Sequence, residues 1–125
     1  MLPQFLQLFA VAGVASASNL FVSSYAGNIT TLSLTESNGS YSLDKTHYNS
    51  GCAPNPSWLT LDPNHGTLYC LDEGLDVVNG TLSSFTINRN GSLNLINKTD
   101  TLNGPVSGVI YGNPATNKRA IALAH

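Results

Sequence analysis

The chain of 125 residues contains little charge, with five Lys or Arg residues against seven Asp or Glu residues and a net charge of −2. It has no basic run or patch, which argues against nucleic acid and anionic membrane surfaces as partners. Long amphipathic helical patterns are also absent, whereas Gly, Asn, Ser and Thr are abundant. This composition is typical of short strands joined by tight turns.

The sequence motifs of several enzyme classes are missing as well. No GxSxG, P-loop, GxGxxG or HExxH pattern occurs, so nothing supports a nucleophilic hydrolase, a nucleotide-binding enzyme or a zincin. The only two cysteines, Cys52 and Cys70, are accompanied by neither a CxxC pattern nor clustered histidines, and no metal site is predicted. In an oxidising compartment they are able to form a disulfide; the alternative is two unpaired cysteines, with Cys70 a small buried apolar residue.

The first 17 residues differ in character from the rest of the chain. An apolar run over residues 5–14 precedes Ala15, Ser16 and Ala17, which match an A-x-A cleavage pattern. The run is short for a membrane span, so residues 1–17 are predicted to be a signal peptide, although no Lys or Arg precedes the run. The alternative is a buried N-terminal helix. A signal peptide predicts a secreted protein that leaves the membrane after cleavage.

Five N-glycosylation sequons agree with export. They begin at Asn28, Asn38, Asn79, Asn90 and Asn97. Three of them are Asn-Gly pairs, which tight hairpin turns favour in any case, and a chain with fourteen asparagines matches the pattern partly by chance. Taken with the apolar leader, the sequons predict a secreted glycoprotein.

A pattern of four short strands occupies residues 55–95. The predicted strands cover residues 56–61, 67–73, 81–87 and 92–96. Turn signals rich in Pro, Asn and Gly at residues 62–66 and 88–91 join the first and the last pair, and a longer loop at 74–80 joins the middle pair. The pattern predicts an all-β fold and, within it, one four-stranded antiparallel blade of a β-propeller.

Partial copies of this blade lie on both sides of it, at offsets of 48–53 residues, a spacing typical of propeller blades. Residues 20–43 resemble its second to fourth strands, and residues 105–125 resemble its first and second. We therefore expect a partial propeller over residues 18–125. Its predicted units are a partial blade at 18–48, a complete blade at 49–97 and the start of a third at 98–125. We expect the chain to be a piece of a longer protein; the alternative is a small closed β-sandwich.

The strand order sorts the connections onto two faces of the predicted blades. Face one holds the loops before each first strand and after each second strand, and face two holds the turns after first and third strands. Face two receives the tight turns at 62–66 and 88–91, which we expect to be purely structural. Face one gathers the longer irregular loops at 50–56, 72–80 and 99–105, and long loops on a regular scaffold are where functional sites tend to lie.

Candidate site residues are found on face one. Glu73 and His125 occupy equivalent positions at the end of the second strand in consecutive repeats, which places them near the channel mouth on adjacent blades. A carboxylate and an imidazole suit acid–base catalysis, because histidine titrates near neutral pH and burial raises the pKa of a glutamate. We predict Glu73 and His125 as catalytic residues, and Asn55 and Asp72 as substrate-binding residues. The alternative is that residues 72–74 are a simple strand-exit turn and that the terminal histidine is unanchored.

Two stretches carry a family resemblance. The run Gly51-Cys-Ala-Pro-Asn-Pro-Ser-Trp-Leu-Thr-Leu-Asp-Pro63, followed by Leu68-Tyr-Cys-Leu-Asp-Glu73, resembles the lactonase family of seven-bladed β-propellers. That family includes 6-phosphogluconolactonase-like proteins and the fungal 3-carboxy-cis,cis-muconate lactonizing enzyme, a cycloisomerase. The resemblance covers residues 20–125, or the first third of such a protein, in about two of seven blades. It implies opening or closure of a lactone ring on a small carboxylated molecule, by a hydrolase or an isomerase, without a metal or organic cofactor.

Three hypotheses about function follow from these observations. The first is a secreted lactonase or cycloisomerase of which this chain is the N-terminal part, with the chain alone inactive because the charged residues of the cyclase lie mainly in later blades. The second is a non-catalytic secreted propeller that binds carbohydrate or protein, since a fold does not fix a function. The third is a small secreted β protein. The sequence predicts no oligomeric state.

Overall fold

The computed structural model describes residues 16–113, 115–116 and 118–125. The strands are β1 (Ser16–Ser24), β2 (Asn28–Ser37), β3 (Ser40–Asn49), β4 (Pro56–Asp62), β5 (Thr67–Asp72), β6 (Gly80–Ile87), β7 (Leu93–Thr101), β8 (Ser107–Asn113) and β9 (Lys118–Ala124). The predicted signal peptide, residues 1–17, lies outside this description except for its last two residues, which belong to β1. Nowhere in the described ranges is there a helix of the length and apolar character that crossing a membrane requires.

The nine strands form three antiparallel sheets in chain order. They are a three-stranded sheet β1-β2-β3, a four-stranded sheet β4-β5-β6-β7 and a two-stranded sheet β8-β9. The prediction of an all-β chain that forms an incomplete piece of a β-propeller is confirmed. Three successive separate sheets are the arrangement of propeller blades, in contrast to the two facing sheets of a sandwich.

The strand boundaries follow the sequence pattern closely in the first three strands of the second blade, and less closely in the fourth. β7 was expected at residues 92–96 but continues to Thr101, where it pairs with Gly80 of β6. Every side chain between Asn94 and Asp100 is exposed. Because this strand has no buried face over most of its length, apolar alternation does not mark where it ends. It also crosses the boundary that we predicted at residue 97.

The first two blades share a hydrophobic core. Ile29 of β2 and Phe85 of β6 are completely buried in one cluster with Leu68 and Leu93, and Phe21 of β1 packs against it. A sheet buries its apolar face against another layer, and in this cluster the first two sheets cover each other.

Polar side chains complete the same junction. Thr31 Oγ1 donates a hydrogen bond to the carbonyl oxygen of Gly91 at 2.9 Å, and Asn49 Nδ2 donates to the carbonyl oxygen of Leu93 at 2.9 Å. Gly91 has a positive φ of 85°, and a Cβ atom there would lie 2.9 Å from the Thr31 methyl group. Position 91 therefore requires glycine for two reasons. Its backbone has a positive φ, and the neighbouring blade leaves no room for a Cβ atom.

The second and third blades meet along their first strands. Ser57 Oγ on β4 donates to the carbonyl oxygen of Pro105 at 2.7 Å, and Thr60 Oγ1 donates to the carbonyl oxygen of Gly108 on β8 at 3.2 Å. Pro105 itself is fully buried. These hydroxyl contacts fix the position of the third sheet relative to the second.

A disulfide joins Cys52 to Cys70, with 5.9 Å between the two Cα atoms. Both residues are completely buried. Cys52 lies in the loop before β4 and Cys70 lies in the middle of β5, so the bond holds that loop against the sheet. The pairing that the sequence left open is present in the structure.

We expect replacement of Phe85 by alanine to lower the free energy of unfolding by about 3–5 kcal/mol, because the side chain fills the junction between two blades. Urea denaturation followed by the fluorescence of the single tryptophan measures the change. The matched control is Tyr41→Ala, whose side chain is 72% exposed and whose loss should cost less than about 1 kcal/mol. Equal effects of the two substitutions would contradict a core centred on Phe85.

Candidate functional site

The candidate site lies on face one, where the end of β5 contacts the loop before β4. Asp72 Oδ1 accepts a hydrogen bond from the backbone N–H of Asn55 at 2.5 Å. The backbone N–H of Glu73 donates to the carbonyl oxygen of Asn55 at 3.0 Å. Two successive residues of one strand end therefore fix both the N–H and the C=O of Asn55, three residues after the Cys52 disulfide.

Asn55 and Asp72 were predicted as substrate-binding residues, and the structure brings them into direct contact. Asp72 is 2% exposed, so it has almost no surface to offer a ligand and acts here by positioning the loop. Asn55 Oδ1 accepts from the backbone N–H of Leu75 at 3.3 Å, whereas its Nδ2 has no hydrogen-bond partner among the described residues. The Asn55 amide nitrogen is thus the donor that this pair presents, and its contact with substrate stays a prediction.

Glu73 meets a residue from the preceding blade. The hydroxyl of Tyr25, just after β1, donates a hydrogen bond to Glu73 Oε1. This hydrogen bond, followed by desolvation and by the negative charge of Glu73, raises the pKa of Tyr25 above its ordinary value. Tyr25 therefore remains a proton donor at neutral pH, and Glu73 Oε2 is left without a hydrogen-bond partner within the ranges that the structure covers.

His125 reaches the same face through the loop between β7 and β8. Its Nδ1 lies 3.2 Å from the carbonyl oxygen of Asn103. The next residue, Gly104, donates its backbone N–H to the carbonyl oxygen of Glu73 at 2.9 Å. The two predicted catalytic residues are therefore linked by the Asn103-Gly104 segment. In the described part of the chain, no hydrogen bond joins their side chains directly.

Asn103 organises the neighbouring loop, and sequence reasoning did not single it out. Its Nδ2 donates to the carbonyl oxygens of Gly74 and Val77, at 2.7 and 2.8 Å. Gly74 has a φ of 67°, and a Cβ atom there would lie 2.2 Å from the carbonyl oxygen of Asn79. The loop at residues 74–80 is therefore held in one compact shape beside Glu73.

Tyr25 was also missed, although the repeat pattern contained the signal. The stretch Leu20-Phe-Val-Ser-Ser-Tyr25 aligns with Leu68-Tyr-Cys-Leu-Asp-Glu73, and Ala120-Ile-Ala-Leu-Ala-His125 aligns with both. Tyr25, Glu73 and His125 thus hold the same position in three successive repeats. A phenol, a carboxylate and an imidazole at one face can donate, accept and relay protons.

The described residues contain no group of three or more His, Cys, Asp or Glu side chains that could hold a metal ion.

Comparison with known proteins gives one match. The family model described as "Lactonase, 7-bladed beta-propeller" matches residues 19–125. No curated protein and no solved structure matches the chain. The matched segment includes β1 from its fourth residue, the strands β2 to β9 and the whole of face one as set out above.

We expect the pKa of Tyr25 to lie above about 10 and to fall when Glu73 is replaced by glutamine. A raised pKa means that the contact is complete at pH values below about 10 and is lost as pH rises through the raised value. The pKa of Tyr25 is measured by spectroscopic titration of its phenolate, as the difference between the wild type and Tyr25→Phe.

Glu36→Gln is the control for that titration, because the one side-chain hydrogen bond of Glu36 among the described residues is accepted from the backbone N–H of Gly39 in the β2–β3 hairpin, at 3.3 Å. This variant should leave the Tyr25 curve in place. A Tyr25 midpoint that Glu73→Gln does not move would show that the two side chains are not paired in solution.

Proposed function

Because the chain belongs to the lactonase family of seven-bladed β-propellers, we propose that it forms part of a secreted enzyme that opens or closes a lactone ring on a small carboxylated molecule. The observation that carries the proposal is a set of three ionisable side chains on face one. Tyr25, Glu73 and His125 come from three successive repeats and are connected through hydrogen bonds of described residues.

In the hydrolytic direction, Glu73 acts as the general base. Its Oε1 is occupied by Tyr25, so Oε2 accepts a proton from the attacking water while the water oxygen bonds to the lactone carbonyl carbon. The bond from that carbon to the ring oxygen then breaks, and the ring oxygen takes a proton from protonated His125. The lactone and one water molecule together give one hydroxy acid, so the atoms balance. Tyr25 keeps Glu73 in place and retains its own proton.

In the cycloisomerase direction, the same groups serve ring closure. A substrate carboxylate adds to a carbon–carbon double bond, and the adjacent carbon receives a proton from the acid. The reaction needs one correctly placed proton donor and no cofactor. Substrates of the 6-phosphogluconolactonase and carboxy-cis,cis-muconate cyclase types fit these two directions.

The amide of Asn55 is proposed to orient the substrate, with Asp72 fixing the loop that carries it. We propose further that the chain by itself does not turn over substrate. The described residues make one complete and two incomplete blades, whereas the family fold has seven blades around one channel.

We expect protein expressed from the complete reading frame to open a phosphorylated or carboxylated lactone, with acid release followed in a pH-stat. Glu73→Gln should lower kcat by about 100-fold or more, because general acid–base catalysis contributes at least that factor. His125→Gln should act similarly, whereas Glu36→Gln should match the wild type. Activity that survives both substitutions would remove these residues from catalysis, and a propeller that turns over no lactone would support a non-catalytic function in binding carbohydrate or protein.

Secretion and N-glycosylation are part of the same proposal. The apolar run and A-x-A pattern in residues 1–17 support export, as does a disulfide, which forms in oxidising compartments. Four of the sequon asparagines, Asn38, Asn79, Asn90 and Asn97, are exposed, and Asn28 is half-buried.

We expect the protein to accumulate in the medium of a eukaryotic expression host and to lose mass on treatment with an N-glycosidase. Asn90→Gln and Asn97→Gln should each remove one glycan, because both side chains are accessible at the surface. Asn64→Gln is the control, since Asn64 is equally exposed but begins no sequon. Retention inside the cell would refute secretion, and an unchanged mass would refute glycosylation.

A further inference from the structure

A cleft of about 460 Å³ opens on face two, between the turn that follows β4 and the hairpin of β8 and β9. Its described lining includes the apolar residues Leu61 and Ile110. Asp62, His65, Lys118 and Arg119 contribute the ionisable groups. The cleft lies at the opposite end of the blades from Tyr25, Glu73 and His125, so it is separate from the site proposed above.

Positive charge is concentrated at this cleft. The whole chain has five Lys or Arg residues, and two of them, Lys118 and Arg119, line the cleft. The cleft has one lining carboxylate, Asp62, in the part of the chain that the structure describes. Because Arg119 balances the charge of Asp62, the charge of Lys118 remains to attract an anion.

Asp62 holds two of these groups side by side. It is 6% exposed, with Oδ1 at 3.1 Å from His65 Nδ1 and Oδ2 accepting a hydrogen bond from Arg119 Nη1. The imidazole and the guanidinium therefore flank a single buried carboxylate. Both remain reachable from the cleft, because the side chains of His65 and Arg119 are 43% and 34% exposed.

His65 and Arg119 keep donors and acceptors that their contacts with Asp62 do not use. Asp62 Oδ1 is only an acceptor, so His65 Nδ1 carries a proton, and in the tautomer that has no second ring proton Nε2 is an acceptor. Arg119 has five N–H donors, and its hydrogen bond to Asp62 occupies only the Nη1 end of the guanidinium. The cleft thus offers cationic donors beside one neutral acceptor, next to an apolar surface.

We propose that this cleft binds a small hydroxy acid. The carboxylate of the ligand accepts hydrogen bonds from Arg119 and Lys118, and its hydroxyl donates to His65 Nε2. The carbon skeleton packs against Leu61 and Ile110. A simple anion would leave the His65 acceptor unused, and a neutral alcohol would leave Lys118 without a counter-charge. The proposal does not rest on the enzymatic function assigned to face one.

The test uses mandelate, a hydroxy acid with an apolar ring, titrated into the whole protein by isothermal calorimetry. Phenylacetate lacks only the hydroxyl, and mandelate methyl ester has a neutral ester in place of the charged carboxylate. We expect saturable binding of mandelate, binding of phenylacetate that is weaker by about fivefold, and binding of the ester that is weaker by about tenfold or more. Equal affinity for all three compounds, or no saturable mandelate binding, would overturn the proposal.

Two variants locate the binding. Lys118→Gln and Arg119→Lys should each weaken mandelate binding by about fivefold to tenfold. Arg119→Lys keeps a cation beside buried Asp62, so the contact between the second and third blades is retained while the planar fork is lost. Lys98→Gln is the matched control, because Lys98 lies on β7 and does not line the cleft. Mandelate affinities that are the same in all three variants would place the binding elsewhere and refute the assignment.

Discussion

The structure depends on the burial of sheet faces against neighbouring sheets. The second blade covers the first through Ile29 and Phe85, both completely buried, and it meets the third along β4 and β8. A four-stranded sheet cannot cover its own faces, so each blade depends on its neighbours to bury its apolar side chains. The contact between Tyr25 and Glu73 follows from that packing, because the two residues belong to different sheets and lie 48 residues apart in the chain.

Much of the fold could be predicted from local patterns, and the exceptions have physical causes. The strands β5 and β6 each have one largely buried face, and β4, β5 and β6 are bounded by turn residues, so the sequence placed their ends within one residue. The end of β7 was missed because its side chains are exposed and carry no apolar alternation. The disulfide stayed undecided because its formation depends on the distance between Cys52 and Cys70, which only the packed loop determines.

The candidate site was predictable as far as the order of the strands determines which connections share a face. The strand order placed four residues on one face: Asn55, Asp72, Glu73 and His125. It does not reveal which carboxylate is buried. In the structure Asp72 is buried and accepts a hydrogen bond from the backbone of Asn55. Contacts between distant residues were beyond reach. The turn at residues 62–66 was expected to be purely structural, yet Asp62 pairs with Arg119, 57 residues further along the chain.

The two faces also differ in how the repeat contributes to them. On face one, Tyr25, Glu73 and His125 occupy one repeat position, and the packing of equivalent blades brings such positions together automatically. On face two, Asp62 ends a first strand, whereas Arg119 aligns with Thr67 at the start of a second strand. That ion pair joins non-equivalent positions of the second and third blades. Chemistry on face one can therefore change by substitution at one repeated position, whereas the cleft on face two requires particular residues in both of the blades that form it.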